Sequence, residues 1–244
     1  MIKTAIILAA GMGERLDDTI KKDKPKGFVA IKGQTLIERS IYNLKSMGIS
    51  NIIIGTGYLS NYYEALKDTQ SIFCVKNYNY SSTGSFYTLY NLREYINDDF
   101  LLLESDLLYE RRALTILMNH HKKNIILASG KTNSSDEVFI EVDKNNNLHS
   151  LSKNKNMLSN IYGELVGISK VSLGAYGLLC NWAEKNVNQR KIIHYEEALV
   201  EINNKANIFV EKIDDLVWTE IDTKEHYVKA VNYVYPELLK KENA

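Results

Sequence analysis

Two prolines, two cysteines and no surplus of either charge are what this 244-residue sequence does with. Thirty Lys and Arg balance thirty Asp and Glu, so the cationic excess of a nucleic-acid coat or a membrane-surface protein is missing. A zero sum still leaves room for a local basic pocket that takes a polyanion. No apolar stretch approaches the ~20 residues of a membrane span. The opening run Met1–Ala10 breaks at Gly11 and then turns charged, unlike a secretory leader. Cys74, within Ile72-Phe73-Cys74-Val75, and Cys180, within Gly177-Leu178-Leu179-Cys180, read as small core residues in a reducing compartment. The expected location is the cytoplasm, with no nucleic acid and no membrane as partner. Repeats and low-complexity tracts are lacking too.

What is present is an alternation of short apolar runs and helical patterns. Ala5–Leu8, Asn51–Ile54, Ile72–Val75 and Phe100–Leu103 are strand-like. Thr35-Leu36-Ile37-Glu38 reads as a capping box, followed by the stripe Ile37, Ile41, Leu44 and a stop at Gly48. Ser85–Ile96 repeats the helical pattern with Phe86, Leu89, Leu92 and Ile96. Fully apolar runs between helices mean parallel strands covered on both faces. After about Asn124 the pattern changes. Ile125–Ser129 is a buried strand, whereas Glu137–Asp143 alternates with period two, and Asn145-Asn146-Asn147 offers a turn to Leu148–Leu151. Strand patterns at Ile161–Ile168, Ile208–Lys212 and Leu216–Trp218, and helical ones at Leu173–Lys185, Tyr195–Asn203 and Lys224–Tyr235, complete the chain. The expected fold is α/β, a doubly wound, mostly parallel, Rossmann-like sheet with a small antiparallel substrate lobe. Residues 1–244 form one domain, with a nucleotide-binding half (1–124) and an acceptor-binding half (125–244).

The strongest chemical signal is Leu8-Ala9-Ala10-Gly11-Met12-Gly13-Glu14-Arg15-Leu16, followed by Lys24-Pro25-Lys26. Small residues and two glycines at a strand end let backbone N–H groups approach and cradle an anion. Arg15 offers a bidentate fork for phosphate oxygens and Lys26 a compact charge. Leu16 stands where a dinucleotide fingerprint needs its third glycine, and no Gly-Lys-Ser/Thr follows as in a P-loop. The second signal is a pair of Glu-x-Asp triplets, Glu104-Ser105-Asp106 and Glu220-Ile221-Asp222, each following an apolar run. Carboxylates at strand ends suit Mg²⁺, which takes oxygen ligands. The third is the polar turn Asn79–Phe86, whose hydroxyls and N–H groups suit a pyrimidine edge and ribose, or an ordinary helix cap. The histidines lack metal-ligand spacing and receive no catalytic role, and the sixteen tyrosines are scattered.

Leu8–Leu16 with Pro25-Lys26 resembles the signature of the nucleotidyltransferases that activate sugar phosphates and alcohol phosphates. The likeness extends along nearly the whole chain. It implies that the strand end Leu8, Ala9 and Ala10, together with Gly11, Gly13, Arg15 and Lys26, grips a nucleoside triphosphate. It also implies that Asp106 and Asp222 are the Mg²⁺ pair, and that Ser82, Thr83, Gly84 and Ser85 form the nucleobase loop of a cytidylyltransferase. Ser129–Glu137 together with Glu220-Ile221-Asp222 most closely resembles the 2-aminoethylphosphonate cytidylyltransferases. On that likeness Lys131 neutralises a phosphonate dianion, Asp136 or Glu141 meets its ammonium, and Lys153 is a second acceptor-side cation. The expected partners are CTP and a small phosphonate or phosphate monoester, and a homodimer is compatible with the sequence.

The expected reaction is in-line attack of the acceptor oxygen on the α-phosphorus of CTP, releasing pyrophosphate. The nucleophile is already ionised, so positioning and charge neutralisation are the whole task. Two other acceptors stay open, phosphocholine and a sugar 1-phosphate. A non-catalytic, nucleotide-binding regulatory subunit is the alternative from another class.

Overall fold

Six consecutive buried residues, Thr4–Ala9, form β1, and their alternation divides the molecule into two cores. In the computed structural model, which describes residues 2–67 and 71–242, Ile6 and Leu8 point to one face and Ala5, Ile7 and Ala9 to the other. The later chain supplies β2 (Ala30–Ile31), β3 (Gln34–Thr35), β4 (Asn51–Thr56), β5 (Ile72–Lys76), β6 (Phe100–Glu104) and β7 (Leu107–Tyr109). Then come β8 (Ile125–Ser129), β9 (Phe139–Val142), β10 (Leu148–Ser152), β11 (Gly163–Val171), β12 (Phe209–Ile213) and β13 (Trp218–Glu220). The helices are α1 (Asp18–Lys21), α2 (Leu36–Ser46), α3 (Ser60–Glu64), α4 (Ser85–Asn91), α5 (Arg112–Asn119), α6 (Leu173–Lys185), α7 (Gln189–Ile192), α8 (Tyr195–Ala206), α9 (Lys224–Lys229) and α10 (Tyr235–Glu242).

The main sheet runs β10-β9-β11-β6-β1-β4-β5, with β8 paired to β11 and β12. Strands β6, β1, β4 and β5 are parallel, as are β8 and β12, whereas β11 runs antiparallel to β6, β8 and β9. Residues of α4, α6 and α8 pack on the Ile6, Leu8, Phe100, Leu102 face, and those of α2, α3 and α5 on the Ala5, Ile7, Leu101, Leu103 face. This is the doubly wound arrangement, with helices on both faces of a sheet whose centre is buried on each side. Its antiparallel lobe is the β9–β10 hairpin.

Local signals hold well in the first half. Thr35 and Glu38 make the reciprocal capping bonds of α2, and Gly48 takes a left-handed φ of 81° two residues past the helix end. Both cysteines are free thiols. Two helical readings are shortened or split. The Ser85–Ile96 pattern ends as a helix at Asn91, where tighter bonds such as Leu92 N to Leu89 O take over. The Lys224–Tyr235 pattern becomes α9, a wider π-helical stretch over Ala230–Val234, and α10. Pro236 has no N–H for the carbonyl one turn back, which accounts for the widening there. No helix among the described residues is long and apolar enough to cross a membrane.

Candidate active site

The C-terminal ends of β1 and β6 open onto a cleft of 320 Å³, which the loop entering the lobe, Lys153 just after it and the start of β11 also line. Leu8, Ala9, Ala10 and Gly11 form its floor, as expected where parallel strands end. Gly13 (φ 63°) does a different job. A Cβ there would sit 2.6 Å from Lys26 Cγ, so the absent side chain makes the channel through which Lys26 reaches the cleft. Gly27 likewise leaves space for the hydroxyl of the buried Tyr63.

The small pairing of β7 with β13 assembles the charged centre. Leu107 faces Glu220 across that ladder, and Ile221 N donates to Asp106 O at 3.1 Å, so the two Glu-x-Asp triplets lie side by side. Lys26 Nζ donates to Asp106 Oδ2 at 2.5 Å and to Asp222 Oδ1. Arg15 donates to Asp222 Oδ2 at 2.8 Å and to Asp136 Oδ2 at 2.6 Å, while Lys153 Nζ donates to the other Asp136 oxygen at 2.7 Å. Residues up to 207 positions apart thus share one ion network.

Acid outnumbers base in this cleft. Glu104, Asp106, Asp136, Glu196, Glu220 and Asp222 line it, with Glu137 and Glu164 near the lobe, against the cations Arg15, Lys26 and Lys153. The imbalance shows in the proton affinities. Burial, then the neighbouring Asp222 and Asp106, push the Glu220 carboxyl up to about 8. Burial first, and Asp106 and Glu196 next, raise Glu104 well above its ordinary value, although Tyr195 Oη donates to it at 2.8 Å. Burial also raises Glu196. Burial works against the Lys26 charge, but Asp106 and Asp222 outweigh it and hold the ammonium firmly protonated. Asp136 is lowered because hydrogen bonds from Lys153 and Arg15 overcome its desolvation.

The donor chemistry fits a hard divalent cation. Carboxylate oxygens of Asp136, Glu220 and Asp222 lie within 4.8 Å of one another, so of the expected pair Asp222 belongs to this group, whereas Asp106 stands outside it and meets Asp222 through the Lys26 ammonium. An all-oxygen, surplus-negative set is what Mg²⁺ takes.

The polar turn expected to read the base borders the cleft through Thr83, Gly84 and Ser85. Buried Asn77 donates to Thr83 Oγ1 (2.9 Å) and Thr88 Oγ1 (3.0 Å), which fixes the turn. Gly84 N donates to Lys191 O at 2.7 Å, and a Cβ on Gly84 would meet Ile193 O at 2.2 Å. Ser85 Oγ accepts from Tyr195 N at 3.0 Å and bonds His194 Nδ1 at 3.2 Å. The turn is therefore stapled to the start of α8, which carries Glu196. Ser82 stays off the cleft and donates to Asn79 O at 3.3 Å.

Two acceptor-side expectations are not brought in. Lys131 is exposed and lines a neighbouring 550 Å³ cavity. Glu141, farther along β9, accepts from Ser159 N at 3.2 Å. Asp136 does reach the cleft, but Arg15 and Lys153 occupy both its oxygens, so it is not a free acceptor for an ammonium. Sequence reasoning assigned no role to Glu104, Glu196, Trp218 and Glu220, which line the cleft, or to Tyr195, which bonds Glu104. Glu104 and Glu220 were visible as the first members of their triplets. Glu196 reads as an ordinary acid in the first turn of a helix, and nothing local marks it as part of a site.

The chain is similar to known proteins. The family model for the MobA-like NTP transferase domain matches residues 5–163. The choline-phosphate cytidylyltransferase of Streptococcus pneumoniae is 26% identical over 244 residues, spanning 98% of this chain and 99% of its own length. The CMP-5'-(3-aminopropyl)phosphonate synthase of Streptomyces rubellomurinus is 26% identical over 129 residues, 51% of this chain and 20% of its own length. Among solved structures, the inositol-1-phosphate CTP transferase from T. maritima superposes with a TM-score of 0.78 at 20% identity, covering 98% of this chain and 96% of that one, a likeness of fold.

Proposed function

Because the chain belongs to the MobA-like NTP transferase family and is a nucleotidyltransferase, we propose that it transfers the cytidylyl group of CTP to a small phosphonate or phosphate ester bearing a protonated amine, 2-aminoethylphosphonate first among them. The observation that carries this reading is the acid surplus of the cleft. A triphosphate and a phosphonate are both anionic, and three of the eight acidic side chains, Glu104, Glu196 and Glu220, are held toward their neutral forms by burial and by neighbouring acids, a cleft that favours substrates bringing positive charge with them. Asp106 and Asp222 would hold Mg²⁺, which would supply part of that charge and stabilise the charge that develops in the transition state. An ammonium group supplies the rest, and its N–H donors suit Glu104, Glu196 and Glu220, whose carboxyls are deeply placed and raised in proton affinity.

Lys26 and Arg15 hold the phosphate oxygens, and the backbone of Leu8–Gly11 with the turn Thr83–Ser85 positions the nucleoside. The acceptor oxygen forms a new bond to the α-phosphorus as the α–β bridging P–O bond breaks, and the electron pair leaves with pyrophosphate. No side chain has to remove a proton, since the acceptor is already ionised. What the chain contributes is alignment of two polyanions and cancellation of their repulsion.

Phosphocholine is the second acceptor to consider, favoured by Trp218, which lines the cleft with its indole N–H unpaired, and by the pneumococcal relative. A quaternary ammonium has no N–H and depends on aromatic faces instead. Pyrophosphate release, measured for four nucleoside triphosphates against 2-aminoethylphosphonate, phosphocholine and a sugar 1-phosphate, tests the proposal. It expects CTP with the primary amine to give the highest kcat/KM. Preference for the sugar phosphate would overturn the amine reading, and nucleotide binding without pyrophosphate release from any acceptor would overturn catalysis.

A further inference from the structure

Asp222 and Asp136 come from distant parts of the chain, and the helix that follows Asp222 reaches the loop that carries Asp136. His226, buried in α9, bonds Ser134 O through Nε2 at 2.8 Å and faces the Asp222 N–H with Nδ1 at 3.4 Å. One ring nitrogen must donate and the other accept, which a neutral imidazole with its proton on Nε2 satisfies at both ends. One turn later Lys229 Nζ donates to Thr132 O at 2.7 Å. From the opposite side Glu164 Oε2 accepts from Thr132 N at 2.7 Å. The loop between these anchors is unfavourable by itself, since Asn133 (φ 53°) and Ser135 (φ 73°) both occupy the left-handed region. Non-glycine residues persist there only where their surroundings over-determine the backbone.

We propose that His226 and Lys229 are positioning residues, a clamp that holds the Thr132–Asp136 loop in its strained form. The clamp sets where Asp136 presents its carboxylate to Arg15 and Lys153, and keeps that loop in register with Asp222. It rests on the proposed function, in which Arg15 and Lys153, the two cations that Asp136 holds, meet the substrates' phosphate and phosphonate oxygens. Neither residue touches substrate; each acts through the backbone it holds.

The test uses the full-length protein as wild type and as His226→Gln, His226→Ala and Lys229→Met. Glutamine retains a donor for Ser134 O, alanine removes both contacts, and methionine keeps the apolar stem of Lys229 without its ammonium. In amide hydrogen exchange, His226→Ala and Lys229→Met speed exchange across residues 133–137 on the order of 10-fold while β1 and β4 stay protected, and His226→Gln remains near wild type. In steady-state assays with CTP and 2-aminoethylphosphonate, the same two variants raise the KM of both substrates on the order of 10-fold, since Asp136 orients Arg15 toward the triphosphate and Lys153 toward the acceptor, and His226→Gln does so far less. Unchanged exchange at 133–137, or acceleration spread evenly over the whole chain, overturns the clamp. A loosened loop with an unaltered acceptor KM in an active enzyme overturns the positioning role. If the wild type turns over neither this acceptor nor phosphocholine, the functional reading falls, and the exchange measurement still decides the clamp.

Discussion

Lys26 bridges two aspartates at once, so replacing it by methionine predicts a stability defect that magnesium repairs. The three side chains are mostly buried, with 17% exposure for Lys26, 15% for Asp106 and 7% for Asp222. Removing one partner of a buried pair costs about 3–5 kcal/mol, because a desolvated charge is left behind. Arg15 still reaches Asp222, which places Lys26→Met at the lower end, about 3 kcal/mol. For a chain of this size each kcal/mol shifts the melting temperature by about 2–4 °C, so without metal the midpoint should fall by roughly 6–12 °C. A cation that binds the released carboxylates at 100 times its Kd returns about 2.7 kcal/mol. Thermal unfolding of both proteins across a magnesium titration, with calcium and sodium as controls, reads the effect directly. The variant should regain most of its loss in millimolar Mg²⁺, and the wild type, already bridged by Lys26, should gain far less. A variant whose stability magnesium does not restore would refute the assignment of Asp106 and Asp222 to one cation site.

Three further outcomes follow from the same geometry. Asp106→Ala should lower pyrophosphate release on the order of 10²-fold or more, the scale of deleting one electrostatic group, and near-native turnover in magnesium would remove Asp106 from the site. Gly84→Ala should detach the polar turn from α8, since its Cβ would meet Ile193 O at 2.2 Å; a raised CTP KM in steady-state assays, with the fold intact by circular dichroism, is the expected reading. Asp215 accepts from Arg112 and Lys241, and these hydrogen bonds hold its carboxyl at about 2 against an ordinary 3.8. A lowered folded-state value stabilises above the unfolded one and is lost as pH falls, here between about 4 and 2. Because the side chain is 66% exposed, screening keeps the effect well below 1 kcal/mol, and Asp215→Asn should flatten the acid limb of the stability curve only slightly.

The legible parts of this molecule are those whose cause is local. Thr35 and Glu38 cap α2 because three residues of spacing put a hydroxyl and a carboxylate on reciprocal backbone donors. Continuous apolar runs became central strands because both of their faces are covered. The Gly11-x-Gly13 turn announced close backbone approach, although Gly13 turned out to clear a path for Lys26. The helix ends were less legible. The break before Pro236 depends on one missing N–H, which a hydrophobic stripe does not register.

The sequence alone determined the strand-and-helix alternation, the glycine turn with Arg15 and Lys26, and the presence of two acidic triplets, because each is written in side-chain type and short-range spacing. Tertiary structure decided which of those acids meet. The β7–β13 pairing, three residues on each strand, is too short to leave a periodic pattern, yet it sets Asp106 beside Asp222. It also decided that Asp136 is held by Arg15 and Lys153, that Glu141 lies out of reach, and that Glu196 joins the cleft from α8. Such contacts follow from the register of strands and the packing of helices across more than a hundred residues, and register is a property of the folded chain rather than of any window of sequence.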